Sequence, residues 1–170
     1  MAGLLYISLG TVFNQDIVFY NNCFEALKDI RATIIMSVGM KTEISSLENI
    51  PSNFIVKNYV PQLKVSSISD LFISHGGMNS VNEALYHRVP LIIVPIQKEQ
   101  EIVAGRVAGC GVGIHLNDKS VIAIKQAVET TLTDKTYRSN IIPLSNTLIN
   151  ACNNSNVADM IEKYSDLNIQ

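Results

Sequence analysis

Charge is scarce in this sequence: charged residues make up 16% of the chain and hydrophobic ones 47%. That balance excludes a disordered tail and a coiled coil, both of which depend on abundant charge. The net charge is -2 and there is no lysine or arginine block, so the basic footprint that nucleic-acid binding requires is missing. Cysteine is equally sparse. Cys23, Cys110 and Cys152 are an odd number at wide spacings, with no Cys-x-x-Cys or His-x-x-x-His pair. Neither a disulfide framework nor a metal site is expected from them; they read as small apolar side chains buried in a reducing cytoplasm. Long apolar runs are absent too. Pro90–Ile96 is far too short to span a bilayer. Met1-Ala2-Gly3 leads straight into a strand-like segment without a signal peptide, which reads as a cytoplasmic piece cut from a longer protein.

What is present is an alternation. A chain of 170 residues fits one domain, and short β-rich runs alternate with longer helix-like stretches. The expected strands are Leu4–Ser8, Thr33–Val38, Phe54–Lys57, Leu71–Ser74, Leu91–Val94 and Gly113–Leu116. Several are continuously apolar, as parallel strands covered on both faces must be. Helical spacing marks Asp16–Ile30, Asn79–His87, Glu99–Ala108 and Ser120–Leu132, the last with Asp118 or Ser120 as its cap. Asn150–Asn156 reads as a loop before a short final helix, Val157–Tyr164. The expected fold is therefore α/β: an open, Rossmann-like parallel sheet of about six strands with helices on both faces. In such sheets ligands bind beyond the carboxyl ends of the strands.

The segment after the fourth strand carries the chemistry: Ser74-His75-Gly76-Gly77-Met78-Asn79-Ser80-Val81-Asn82-Glu83. Gly76 and Gly77 let the backbone approach a ligand, and the unpaired N–H groups of the following helix favour an anion. Asn79 or Ser80 can cap that helix or donate to a phosphate oxygen, and His75 stands at the mouth. Glu83 lies one turn beyond Asn79 on the same face, and a carboxylate suits a ribose diol because it only accepts. A Gly-Gly turn, a single His or a single helical Glu is ordinary by itself. The order strand, His-Gly-Gly, Asn-Ser, Glu is not, and it suggests a nucleoside diphosphate. Ser8, Gly10 and Thr11 form a second carboxyl-end turn. Gly109-Cys110-Gly111-Val112-Gly113 lacks the dinucleotide spacing and reads as a helix terminus and turn.

Taken in order, Ser8-Leu9-Gly10-Thr11, Asn58-Tyr59-Val60-Pro61-Gln62, Ser74–Glu83, Val89-Pro90 and Pro95 through Glu99-Gln100 cover nearly the whole chain. This set resembles the C-terminal donor-binding domain of UDP-glycosyltransferases with two Rossmann domains (the GT-B architecture), in the bacterial macrolide-type branch. The resemblance implies a nucleotide-sugar donor domain over 4–164, without the N-terminal acceptor domain. It implies that Val60 and Gln62 meet the base, with Pro61 shaping the pocket. His75, Gly77, Asn79 and Ser80 would hold the diphosphate, joined by Ser8 or Thr11. Glu83 would take the ribose, and Glu99 and Gln100 the donor sugar. Two departures stand out. Glu99 replaces the more usual Asp, which touches sugar identity. Arg88 replaces a Gly suited to a left-handed helix end, at a cost of ~1 kcal/mol if that geometry persists.

The implied reaction is an inverting transfer of a hexose, glucose by default, from a UDP-sugar to a hydroxyl of a small-molecule acceptor. No metal or other cofactor is required; His75 would stabilise the leaving group. The general base belongs to the N-terminal domain, since His87 reads as a helix end and His115 as a strand residue. The chain alone is thus expected to bind donor without efficient transfer. Two alternatives remain: N-acetylglucosaminyl transfer to a lipid or cell-wall precursor, and a non-catalytic nucleotide-binding module.

Overall fold

A computed structural model describes residues 3–11 and 14–153. Its elements run β1 (Gly3–Ser8), α1 (Ile17–Leu27), β2 (Ala32–Ser37), β3 (Phe54–Lys57), α2 (Gln62–Ser66), β4 (Leu71–Ser74), α3 (Met78–Tyr86), β5 (Leu91–Ile93), α4 (Lys98–Gly109), β6 (Gly113–His115), α5 (Val121–Thr133) and α6 (Thr136–Asn153). The six strands form one sheet in the order β3-β2-β1-β4-β5-β6. Every recorded pairing is parallel. The expected strands are all there, to within a residue or two at their ends.

Strand alternation sends successive side chains to opposite faces, and here both faces are covered. Leu5 and Ile7 of β1 and Ile73 of β4 pack with Phe19, Tyr20 and Leu27 of α1 and with Ile124 and Val128 of α5. Tyr6, Phe72, Leu91 and Ile93 face the other way, against Val81 and Ala84 of α3, Ala104 and Val107 of α4 and Ile141 of α6. This double burial is why the strands read as unbroken apolar runs.

Helix ends follow local chemistry. Asp16 is the cap of α1, accepting from the Phe19 N–H at 3.0 Å. Ser120 caps α5 through Ala123 N, while Asp118 instead accepts from the Ser120 N–H and hydroxyl. Two expectations need correction. Asn150–Asn153 continues α6 instead of forming a loop; the proposed Val157–Tyr164 helix lies outside the described residues. Cys110 is exposed, not buried, because it stands where α4 ends and the chain turns outward through Gly111 at φ 63°. Cys23 is fully buried, and burial pushes its thiol well above the ordinary range. The side chain of Cys152 lies outside the described set.

Candidate functional site

In the order β3-β2-β1-β4-β5-β6, the chain leaves β1 toward one edge of the sheet and β4 toward the other. The loops beyond these two neighbouring strands diverge, and a crevice opens at their carboxyl ends. A cavity of about 540 Å³ fills it. Leu9, Gly10 and Thr11 come from the loop after β1, and His75 and Gly77 from the loop after β4. Met78, Asn79, Ser80 and Glu83 come from α3, Gln62 from α2, and Gln97 and Gln100 from the start of α4. A second cavity of about 310 Å³ adjoins it, sharing Gly10, Thr11 and Gln62 and adding Ser8, Lys41, Tyr59 and Val60 among others.

The imidazole of His75 is sandwiched by glycines. A Cβ on Gly10 would lie 2.6 Å from its Cε1, and one on Gly77 2.6 Å from its Nε2. Both glycines therefore make room for the ring, and Gly10 also holds φ at 82°. His75 Nδ1 is buried with no hydrogen-bond partner among the described residues. Burial holds the imidazole below its usual pKa, so it is neutral near pH 7.

The helix behind it starts uncapped. Gly77 is the N-cap of α3, and no side chain caps the first turn. Asn79 and Ser80 lie inside that turn, so neither serves as the cap that the sequence allowed. The first N–H groups of α3 thus keep their capacity for an anion in the groove. None of the lining residues of the larger cavity is lysine or arginine. Any phosphate there would be met by backbone and neutral polar groups.

One turn further, Gln62 Nε2 donates to Glu83 Oε2 at 2.7 Å and to Ser80 Oγ at 3.1 Å. Its Oε1 accepts from the Tyr6 hydroxyl at 3.3 Å. At the far end Gln97 and Gln100 cap α4 reciprocally. Gln100 Oε1 accepts from Ile96 N at 2.7 Å and Gln97 N at 3.1 Å, and its Nε2 donates to Gln97 Oε1 at 3.5 Å.

Of the residues singled out from sequence, Gly10, Thr11, Gln62, His75, Gly77, Asn79, Ser80, Glu83 and Gln100 line the larger cavity. Ser8 and Val60 line the smaller one. Three do not line either. Pro61 is exposed as the N-cap of α2. Gly76 is buried beneath the turn, at φ 90°, where a Cβ would strike Ile93. Glu99 is exposed in the first turn of α4 and is not part of the wall to which Gln97 and Gln100 contribute. Gln97, Lys41, Tyr59 and Tyr6 also line these cavities and were not singled out from the sequence. Tyr59 had a signal, an aromatic two residues beyond a strand carboxyl end; Gln97 and Lys41, polar residues outside the strands, had none. His87 ends α3, and His115 sits on β6 beside Glu101, both away from the groove.

Residues 1–150 match the family model described as UDP-glucoronosyl and UDP-glucosyl transferase. The chain belongs to the UDP-glycosyltransferase family. An uncharacterized UDP-glucosyltransferase, YojK, of Bacillus subtilis is 36% identical over 160 residues, 93% of this chain and 40% of that protein. The NDP-glycosyltransferase YjiC of the same organism is 44% identical over 140 residues, 81% of this chain and 36% of that protein. Among solved structures, the calicheamicin glycosyltransferase CalG4 superposes with a TM-score of 0.91 at 26% identity, covering 99% of this chain and 45% of that one. The chain thus spans less than half the length of these relatives, and its six-stranded Rossmann-like sheet is the GT-B type.

Proposed function

We propose that this chain is the donor-binding half of an inverting UDP-glycosyltransferase, holding a UDP-hexose whose sugar passes to a hydroxyl of a small-molecule acceptor. One observation carries the reading: the uncapped N-terminus of α3, with His75 wedged between Gly10 and Gly77, opens into a groove whose wall one turn later bears Glu83. The spacing suits a diphosphate at the helix end and a ribose diol at the carboxylate. The smaller cavity, with Tyr59 and Val60 at its wall, would take the base. Gln97 and Gln100 would meet the donor sugar.

As the glycosidic bond breaks, negative charge grows on the β-phosphate oxygen. Donors already aimed at that oxygen stabilise the transition state more than the ground state. His75, the backbone at Gly77 and the α3 N-terminus supply them, so this reading calls on no metal. The proton of the acceptor hydroxyl must go to a general base, which we assign to an acceptor domain of the longer protein. The chain alone should therefore bind donor without transferring sugar.

Calorimetric titration with UDP, dTDP and NAD tests this. UDP should bind, NAD should not, and Glu83→Ala should weaken UDP by about 10–100-fold, the worth of hydrogen bonds to a charged group. His75→Ala should weaken it as well. UDP affinity unchanged in both variants would refute the site.

A further inference from the structure

Glu83 reaches the groove with a carboxylate that only accepts hydrogen bonds, so something else must fix which way it faces. Its Oε2 is held by Gln62 Nε2 at 2.7 Å, and the same amide nitrogen reaches Ser80 Oγ at 3.1 Å. The amide has two unlike ends. With nitrogen toward the carboxylate, Oε1 must face the opposite way, where Tyr6 Oη donates to it at 3.3 Å. A flipped amide would set its oxygen against the carboxylate and its NH₂ against the phenol hydrogen. Tyr6 is the one donor to Gln62 Oε1 among the described residues.

Tyr6 is well placed to act as an anchor. It sits on β1, flanked by β2 and β4, with its side chain 1% exposed. Its ring stacks on Phe72, with centroids 4.5 Å apart and an interplanar angle of 26°. Burial pushes its phenol up to about 12, so it remains protonated and a donor at any ordinary pH. Three side chains from β1, α2 and α3 thus form a line along the groove, and Tyr6 itself stands at the wall of the smaller cavity.

We propose that Tyr6 is a positioning residue: through Gln62 it holds the Glu83 carboxylate in the orientation that distinguishes a ribose diol from its 2′-deoxy counterpart. This rests on the assignment of Glu83 to the ribose made above. A carboxylate left free to turn still accepts from water and still carries its charge, but it no longer presents a fixed oxygen to the sugar.

The test compares UDP with 2′-deoxy-UDP by calorimetry on the 170-residue chain, on Tyr6→Phe, on Gln62→Leu and on the double variant. Phenylalanine keeps the stack on Phe72 and removes only the hydroxyl. The unsubstituted chain should prefer UDP by about tenfold or more. Tyr6→Phe should reduce that preference at least about threefold while 2′-deoxy-UDP affinity stays within about twofold, and Gln62→Leu should reduce it further. In the Gln62→Leu background, Tyr6→Phe should change the ratio no more. A purely structural role would shift the melting temperature and leave the ratio alone. The proposal is overturned by an unchanged ratio in Tyr6→Phe, by equal weakening of both nucleotides, by a further drop in the double variant, or by an unchanged ratio in Gln62→Leu, which needs no change at Tyr6. An unsubstituted chain that binds both nucleotides alike refutes the ribose role of Glu83 itself, a failure visible before any substitution is made.

Discussion

His75 has a neutral imidazole in the free chain, lodged between two glycines, with one ring nitrogen buried and without a partner among the described residues. Its folded pKa lies below its unfolded value of about 6.5. Above that value neither state carries the proton and the stability is fully present. As pH falls from there through the folded value, the unfolded chain takes up the proton first and stability declines. A bound diphosphate works the other way, because a nearby anion favours the charged ring. UDP binding at about pH 6 should therefore take up part of a proton, read as a difference in apparent binding enthalpy between buffers of unlike ionisation enthalpy. The uptake should vanish in His75→Gln; uptake that persists there would place the titrating group elsewhere. His75, Asn79, Ser80 and Glu83 were legible in the sequence because they are packed into one turn and a half after a strand. Tyr6 was not, since a tyrosine in an apolar strand reads as core, and its partner Gln62 lies 56 residues away. Glu99 lines neither cavity, and residue type alone says nothing about which side of a helix start faces a groove.

Helix ends were less legible than strands. The strands are buried on both faces and announce themselves as apolar runs, but α6 contains Pro143 and closes on Asn150 and Asn153, residues that argue against a helix on propensity alone. Its packing on the outside of α3, through Ile141 and Ser145, overrides them. The end of α3 was foreseen in kind. Arg88 has φ 59°, its N–H bonds to Leu85 O, and Val89 N–H bonds to Ala84 O, which is a Schellman motif with arginine in the position that favours glycine. Its guanidinium reaches Ser145 and Asn146 of α6. The left-handed backbone costs a non-glycine residue about 1–2 kcal/mol, set against one exposed hydrogen bond at 3.1 Å and one long, part-buried bond at 3.4 Å. Arg88→Gly should therefore stabilise the chain by about 0.5–1 kcal/mol in urea denaturation, and Arg88→Ala, which keeps the strain and drops the contacts, should destabilise it. A loss of stability in Arg88→Gly would mean that the tie to α6 outweighs the backbone strain.

At the scale of the molecule, the alternation of strand and helix implied a parallel sheet, but the strand order came only from the pairing. That order makes the groove, since it sets β1 beside β4 and parts their loops. A ligand that binds only this assembled groove must stabilise the whole fold by mass action. UDP at a hundred times its dissociation constant should add about 2.7 kcal/mol and raise the melting temperature by about 5–10 °C, whereas NAD at the same concentration should leave it unchanged. The same order has a consequence during synthesis. Leu5 of β1 pairs with Leu71 of β4, so one flank of the first strand waits for a partner that has not yet been translated. At about 5–20 residues per second that wait is about 3–13 seconds on the ribosome. Through it, Leu5 and Ile7 sit beside a bare backbone edge that other nascent chains can pair with. No cellular nucleotide can shelter the chain in that interval, because the cleft it would enter exists only once the wait is over.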